Sequence, residues 1–214
     1  RRLADFGLVA FDMDSTLITI ECIDELADFA GRKHEVAEIT EAAMRGELDY
    51  RESLRRRLAL LAGLDARVLS RVFEERLQLS PGARELLAAA QASGLRTAIL
   101  SGGFTYFTER LRIELGFDFA TSNELEICGG KLTGRVAGDI VDAAAKAHHL
   151  ARLRDELGLR QDQVIAIGDG ANDLLMMAEA GFSLAYRAKP ATRAKASVAF
   201  NFVGLDGLLN LFPA

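Results

Sequence analysis

Cysteine is nearly absent from the 214-residue chain: Cys22 and Cys128 are the only two, and neither belongs to a CxxC pair. A disulfide framework therefore does not hold the fold, and free thiols in a reducing cytoplasm are expected. No apolar run approaches the ~20 residues of a membrane span. The start, Arg1-Arg2-Leu3-Ala4-Asp5, turns acidic before any signal-peptide core develops. It also lacks an initiator methionine, so more of the protein is expected upstream of Arg1. Excess positive charge is missing too. A formal net charge of −5 argues against a nucleic-acid or membrane-surface partner, so any cations that meet an anionic substrate must be local. There is no internal repeat and no low-complexity tract. With 50% hydrophobic and 27% charged residues, the composition is that of a globular protein with one substantial core, or a core domain carrying a smaller insert.

What is present begins with Leu8-Val9-Ala10-Phe11-Asp12-Met13-Asp14-Ser15-Thr16. The apolar run reads as a short, fully buried strand of a parallel sheet. Alternate residues of an extended segment point the same way, so Asp12 and Asp14 leave the strand end close together. Such neighbours repel, and a hard divalent cation relieves the repulsion. The stretch also reads as an ordinary polar turn with Ser15 or Thr16 as a helix cap.

From about Glu21 to Leu79 there is no β-branched run, and the apolar spacing is helical. The stripes are Ile23-Leu26-Ala27-Ala30, Val36-Ile39-Ala43-Met44, Leu54-Leu58-Leu61 and Val68-Leu69-Val72-Phe73-Leu77. They predict a small four-helix insert after the first strand. Strand and helix then alternate. Ser80-Pro81 signals a helix start. Leu95–Leu100 reads as a buried strand, followed by a Ser101-Gly102-Gly103 turn and a helix from about Phe104. Gly129-Gly130 between two β-rich runs signals a hairpin. A helix over about 143–157 precedes the strand Val164–Ile167. Gly168-Asp169-Gly170 then turns into a helix ending near Gly181, and short strands follow at 182–185 and 198–200. The expected fold is α/β: a Rossmann-like, doubly wound, mostly parallel sheet with an inserted helical-bundle cap and a small β-hairpin. The expected division is a core of 1–20 plus 80–214 and a cap of 21–79.

In such sheets ligands bind beyond the carboxyl ends of the strands. Three of those ends carry chemistry: Asp12 and Asp14; Ser101-Gly102-Gly103, whose N–H groups, hydroxyl and helix start suit a phosphate; and Gly168-Asp169-Gly170-Ala171-Asn172-Asp173. Each alone is also a plain turn. Together they predict a metal-dependent phosphate site.

Asp12-Met13-Asp14-Ser15-Thr16, Ser101-Gly102-Gly103-Phe104, Lys146 and Gly168–Asp173 resemble, in order, the four motifs of the haloacid dehalogenase superfamily of phosphatases. Glu21 and the Ser53-Leu54-Arg55-Arg56-Arg57-Leu58 helix narrow the resemblance to the phosphoserine phosphatases. The resemblance implies Mg²⁺-dependent hydrolysis of a small phosphorylated amino acid, O-phosphoserine, in the last step of L-serine synthesis. In that scheme Asp12 is the nucleophile and Asp14 the general acid/base. Mg²⁺ is held by the Asp12 side chain, the Asp14 backbone carbonyl and Asp169. Ser101, Gly102 and Lys146 meet the phosphate, Asn172 reaches the substrate or phosphate, and Asp173 orients metal waters or Lys146. Glu21 would bind the substrate ammonium and Arg57 its carboxylate. Consecutive helical residues lie about 100° apart, so Arg55, Arg56 and Arg57 cannot all face one pocket. Met44 and Tyr50 are candidates for an apolar lid. By spacing alone, Lys146 also reads as a surface partner of Asp142. Two other readings stay open: a phosphatase or phosphotransferase for another small phosphometabolite, and a non-catalytic phosphoamino-acid binder. Oligomeric state is not legible, and a homodimer stays open.

Overall fold

The computed structural model describes residues 1–212. Its centre is β1 (Leu8–Phe11), buried along its whole length. Side chains alternate across a strand, so Val9 and Phe11 join one apolar layer while Leu8 and Ala10 join the other. β5 (Val164–Gly168) divides in the same way, with Ile165 and Ile167 on the first face and Val164 and Ala166 on the second. A sheet buried on both faces needs helices on both sides. α5 (Ala83–Ala92) and α6 (Thr105–Leu115) cover the first face, through Leu86, Leu87, Phe107 and Leu111. α7 (Ala143–Glu156) and α8 (Leu174–Ala178) cover the second, through Leu150, Leu153, Met176 and Met177.

The remaining strands are β2 (Arg96–Phe104), β3 (Phe119–Cys128), β4 (Lys131–Ala137), β6 (Phe182–Tyr186) and β7 (Val198–Phe200), with a short α9 (Pro190–Arg193) before β7. The seven-stranded sheet has the order β4-β3-β2-β1-β5-β6-β7. Every pairing is parallel except the β3–β4 hairpin. Phe11 is in register with Ile99 and Ile167, so the motifs after β1 and β5 leave the sheet at one level.

Between β1 and α5 the chain forms α1 (Cys22–Phe29), α2 (Lys33–Met44), α3 (Tyr50–Ala59) and α4 (Val68–Glu75). The segment leaves and returns through one narrow neck. Ile18 bridges Leu79, Thr19 N–H donates to Gln78 O (2.9 Å) and Ser80 N–H to Leu17 O (2.9 Å). The hairpin supports this segment. Gly63 N–H donates to Leu132 O and Ala66 N–H to Gly130 O, both at 2.8 Å. Gly134 lies so close to α3 that a Cβ there would stand 3.0 Å from Leu58 O. No helix among the described residues is long and apolar enough to cross a membrane.

Four local expectations are corrected. Ser80 does not cap α5: Gly82 intervenes at φ 76, outside helical space, and the helix begins at Ala83. Ser101-Gly102-Gly103 is not a turn. β2 continues through it to Phe104, which pairs with Asn123 after a register shift, and α6 starts at Thr105. Of the α2 stripe only Val36 is buried, and Met44 is 64% exposed. Val36 joins the core, while Ala43 and Met44 at the far end of the stripe line a cavity. α8 is also shorter than expected and ends at Ala178.

Candidate active site

The turn after β1 brings its two aspartates to bear. Leu17 and Ile18 donate backbone N–H groups five residues back, to Asp12 O (3.2 Å) and Met13 O (3.0 Å), and Ser15 takes φ 57. This wide, strained turn lets Asp14 accept the Cys22 N–H (3.1 Å) and Ser15 Oγ donate to Glu21 (2.6 Å). Asp12 is tied to the neighbouring strand, its N–H donating to Ile167 O (2.9 Å).

Lys146 enters from the second turn of α7 with its side chain 1% exposed. Its Nζ donates to Asp12 Oδ1 at 2.7 Å and to Asp173 Oδ1 at 2.5 Å. The pairing with Asp142 that spacing alone suggests does not form. Asp142 instead caps α7 through the Ala145 N–H (2.9 Å) and accepts Arg51 Nε of α3 (2.7 Å). Asp173 also holds its own loop, since its Oδ2 accepts the N–H groups of Asp169 and Gly170, both at 3.1 Å. Thr16 Oγ1 reaches across from the β1 turn to Asp169 Oδ1 (3.1 Å).

These contacts place one carboxylate oxygen each from Asp12, Asp169 and Asp173 within 4.8 Å of one another. Oxygen donors in that number, two of them buried and Asp169 half-buried, suit a divalent cation better than they suit each other. The electrostatics agree. Burial, then the Asp173 carboxylate, raises Asp12 well above the ordinary carboxylate range, and Lys146 only partly opposes this. Burial followed by Asp173 raises Asp169 to about 7. Burial raises Asp14 to about 6 against the Cys22 hydrogen bond. For Lys146 burial acts downward, but the Asp12 and Asp173 carboxylates outweigh it and hold the ammonium above its usual value.

A cavity of ≈ 690 Å³ opens over these groups, between the carboxyl ends of the strands and the inserted helices. Asp12, Asp14, Ser101, Gly102, Asp169 and Asn172 line it from the sheet side, and Glu21, Met44, Tyr50 and Arg57 from the other. Lys146 and Asp173 stand behind its wall. Arg57 is half-buried, whereas Arg55 and Arg56 are exposed and Arg56 pairs with Glu52. Glu21 opens onto the cavity yet is flanked by protein. Desolvation, then Asp14, raises it to about 7, with Arg57 acting downward. Tyr50 donates its hydroxyl to Gly102 O (3.2 Å), and burial raises that phenol to about 12. Glycines at 102 and 103 leave the site's side chains where they are. A Cβ at 102 would strike the Tyr50 hydroxyl, and one at 103 would lie 2.6 Å from Asp14 Oδ2.

Two residues in this framework escaped the sequence reading. Asn123 donates to Gly102 O (2.7 Å) and accepts the Val141 N–H (2.8 Å), which fixes the end of β2. Its only signal was a polar residue before a hairpin. Thr16 reads in the sequence as a helix cap and as part of the Asp12–Thr16 motif, but not as a partner of Asp169.

The chain is 56% identical over 215 residues to the phosphoserine phosphatase of Polaromonas sp. (strain JS666), covering 98% of this chain and 91% of the other. Two solved structures share the fold over 97% of this chain with TM-scores of 0.90. A substrate-bound phosphoserine phosphatase complex is 35% identical with 98% of its own chain covered, and a phospho-aspartyl intermediate analogue of phosphoserine phosphatase is 36% identical with 99% covered. The family model for haloacid dehalogenase-like hydrolases matches residues 9–178, from within β1 to the end of α8. That span carries every strand end described above, and the chain belongs to the haloacid dehalogenase-like hydrolase family.

Proposed function

We propose that this chain hydrolyses O-phospho-L-serine to L-serine and inorganic phosphate through an aspartyl-phosphate, with Mg²⁺ as its metal, in the cytoplasm. The observation that carries the reading is Lys146 Nζ held 2.7 Å from Asp12 Oδ1 beneath the cavity that Asp14 also lines. A nucleophile, an acid and a buried cation converge there.

Asp12 attacks phosphorus with one carboxylate oxygen as the bond from phosphorus to the serine oxygen breaks. Asp14 delivers its proton to that departing oxygen, and a carboxyl raised to about 6 retains protonated molecules near neutrality. Asp14 then takes a proton from water as the water oxygen attacks the phosphorus of the aspartyl-phosphate, and Asp12 is released with inorganic phosphate. Lys146 holds the Asp12 carboxylate in place and faces the charge that gathers on the equatorial phosphoryl oxygens. Ser101 and the Gly102 N–H bind those oxygens, and Asn172 reaches the substrate. Asp12, the Asp14 backbone carbonyl and Asp169 would hold the Mg²⁺, which supplies positive charge to the phosphoryl group when bound. Asp173 keeps Lys146 and the Asp169 loop in position.

Glu21 and Arg57 carry opposite charges on one wall of the cavity, which supports binding of an ammonium and a carboxylate on the same small molecule. We assign 21–79 as a cap, which brings these two residues over a core of 1–20 and 80–214, with Met44 and Tyr50 on its lid.

Phosphate release from O-phosphoserine, phosphothreonine, phosphoethanolamine and phosphoglycerate, with Mg²⁺ and with EDTA, tests the reading. Preference for O-phosphoserine, abolished by EDTA and lowered at least ~10³-fold by Asp12→Asn, is expected. Phosphate release unchanged by Asp12→Asn refutes the mechanism.

A further inference from the structure

The end of β2 contains one peptide unit with little of its own to orient it. Gly102 and Gly103 flank it, and without a Cβ neither residue resists its rotation. The β2–β3 register also shifts here, between Leu100 and Phe104. Side chains tie down both polar ends of the unit instead. Its carbonyl, Gly102 O, accepts Asn123 Nδ2 at 2.7 Å and the Tyr50 hydroxyl at 3.2 Å. Its N–H, that of Gly103, donates to Ser101 Oγ at 2.8 Å.

That last bond decides what the Ser101 hydroxyl can offer. A hydroxyl carries one proton and two lone pairs. The Gly103 N–H occupies one lone pair, and among the described residues the proton has no acceptor. Ser101 lines the cavity, so its proton is free for an anion bound there. Turned about, the same peptide would present its carbonyl to Ser101 and draw the proton inward. The orientation of one peptide therefore sets whether Ser101 gives the cavity a donor or a lone pair.

Asn123 fixes that orientation. It is fully buried, and its Oδ1 accepts the Val141 N–H (2.8 Å) just before the Asp142 cap of α7. Inverting the amide would set donor against donor at Val141 and acceptor against acceptor at Gly102, so Nδ2 is held toward Gly102 O. Tyr50, the first residue of α3, brings the second donor from the inserted helices.

We propose that Asn123, assisted by Tyr50, is a positioning residue for phosphoryl binding: by locking the Gly102–Gly103 peptide it keeps the Ser101 proton directed at the phosphoryl oxygens. The inference rests on the phosphatase reading of the site. Asn123 acts through Ser101 and not on the substrate.

A double-mutant cycle in the full protein tests this. Asn123→Ser is neutral and too short to span both partners. It should lower kcat/KM for O-phosphoserine about tenfold and raise the Kd of inorganic phosphate, measured with Mg²⁺ present, by a similar factor, the size of one charge-assisted hydrogen bond. In a Ser101→Ala background the same substitution should cost less than about twofold, because no proton is left to direct. The kcat/KM ratio of O-phosphoserine to phosphoethanolamine should stay within about twofold of the parent's, since Arg57 is untouched, whereas a general loosening of the site would erode it. Tyr50→Phe should lower kcat/KM about threefold with Ser101 present and less than about 1.5-fold without it, and it decides the matter if Asn123→Ser does not melt cooperatively. Equal losses with and without the Ser101 hydroxyl overturn the inference, as does an Asn123→Ser protein that binds phosphate like the parent. If phosphate binding follows the cycle but no phosphomonoester is hydrolysed, the phosphatase reading falls and the peptide lock stands.

Discussion

Replacing Lys146 by methionine leaves Asp12 and Asp173 in the interior with no cation between them. Both carboxylates are under 6% exposed, and both hold Nζ at hydrogen-bond distance. Removing one partner of a buried ionic network costs about 3–5 kcal/mol, because the charge left behind is desolvated and uncompensated. For a chain of this size each kcal/mol lowers Tm by about 2–4 °C, so Lys146→Met should melt about 6–20 °C below the parent in EDTA. The loss has a sign with pH. Burial already raises Asp12, and without the opposing ammonium its carboxyl binds a proton more tightly folded than unfolded. Its stability is then full below the unfolded pKa near 4 and drains away as pH rises through the higher folded value. Destabilisation should be small at about pH 4.5 and largest at about pH 8. Asn at 173 still offers an oxygen to the Asp169 and Gly170 N–H groups. Lys146→Met/Asp173→Asn should therefore recover about half of the lost stability while recovering no phosphate release. Thermal and urea unfolding across that pH range decide the matter. A Lys146→Met loss under ~1 kcal/mol at pH 8, or one that pH leaves unchanged, refutes the account.

Two further outcomes follow from the same geometry. Burial and neighbouring carboxylates raise Asp14 to about 6 and Glu21 and Asp169 to about 7. These groups stabilise the metal-free protein at low pH, and their contribution is lost between about pH 4 and pH 7. The rise in Tm on adding Mg²⁺ should accordingly be larger at about pH 8 than at about pH 5.5, and a melting series in which the lower pH gives the larger rise contradicts the assignment. Removing the guanidinium by Arg57→Gln should raise KM for O-phosphoserine about 10–100-fold, the size of one charge-assisted bond, while phosphoethanolamine, which has no carboxylate, changes less than about threefold. Equal losses on both substrates would separate Arg57 from carboxylate binding.

Much of the site was legible because its signals are local. The apolar run of β1 ending in Asp12 and Asp14 reads as a buried strand delivering two acids to a sheet end, and β5 with Asp169 repeats the pattern. Elsewhere tertiary partners decided. Ser101-Gly102-Gly103 reads as a turn by composition, yet Asn123, arriving from β3, holds Gly102 O and extends the strand. Gly82 overrides the cap signal of Ser80-Pro81 because its left-handed conformation fits against Asp206. The α2 stripe has the spacing of a core helix, but spacing records only that one face is apolar. Whether that face meets a helix or an open cavity depends on what lies opposite. Lys146 illustrates the same limit from the polar side, since nothing in Asp142-Ala143-Ala144-Ala145-Lys146 says that the lysine turns inward to a strand 134 residues away.

The neck formed by Ile18, Thr19, Gln78 and Leu79 has a consequence for how such a molecule can change. A segment whose two ends are bonded to each other presses no requirement of length or shape on the strand before it or the helix after it. Helices beyond that clasp can be lengthened or trimmed while β1 and α5 stay seated, provided the bonds from Gly63 and Ala66 to the β3–β4 hairpin are kept. Novelty in what the cavity accepts can therefore accumulate on one side of four residues, while Asp12, Asp14 and the buried Lys146 on the other side need not move at all.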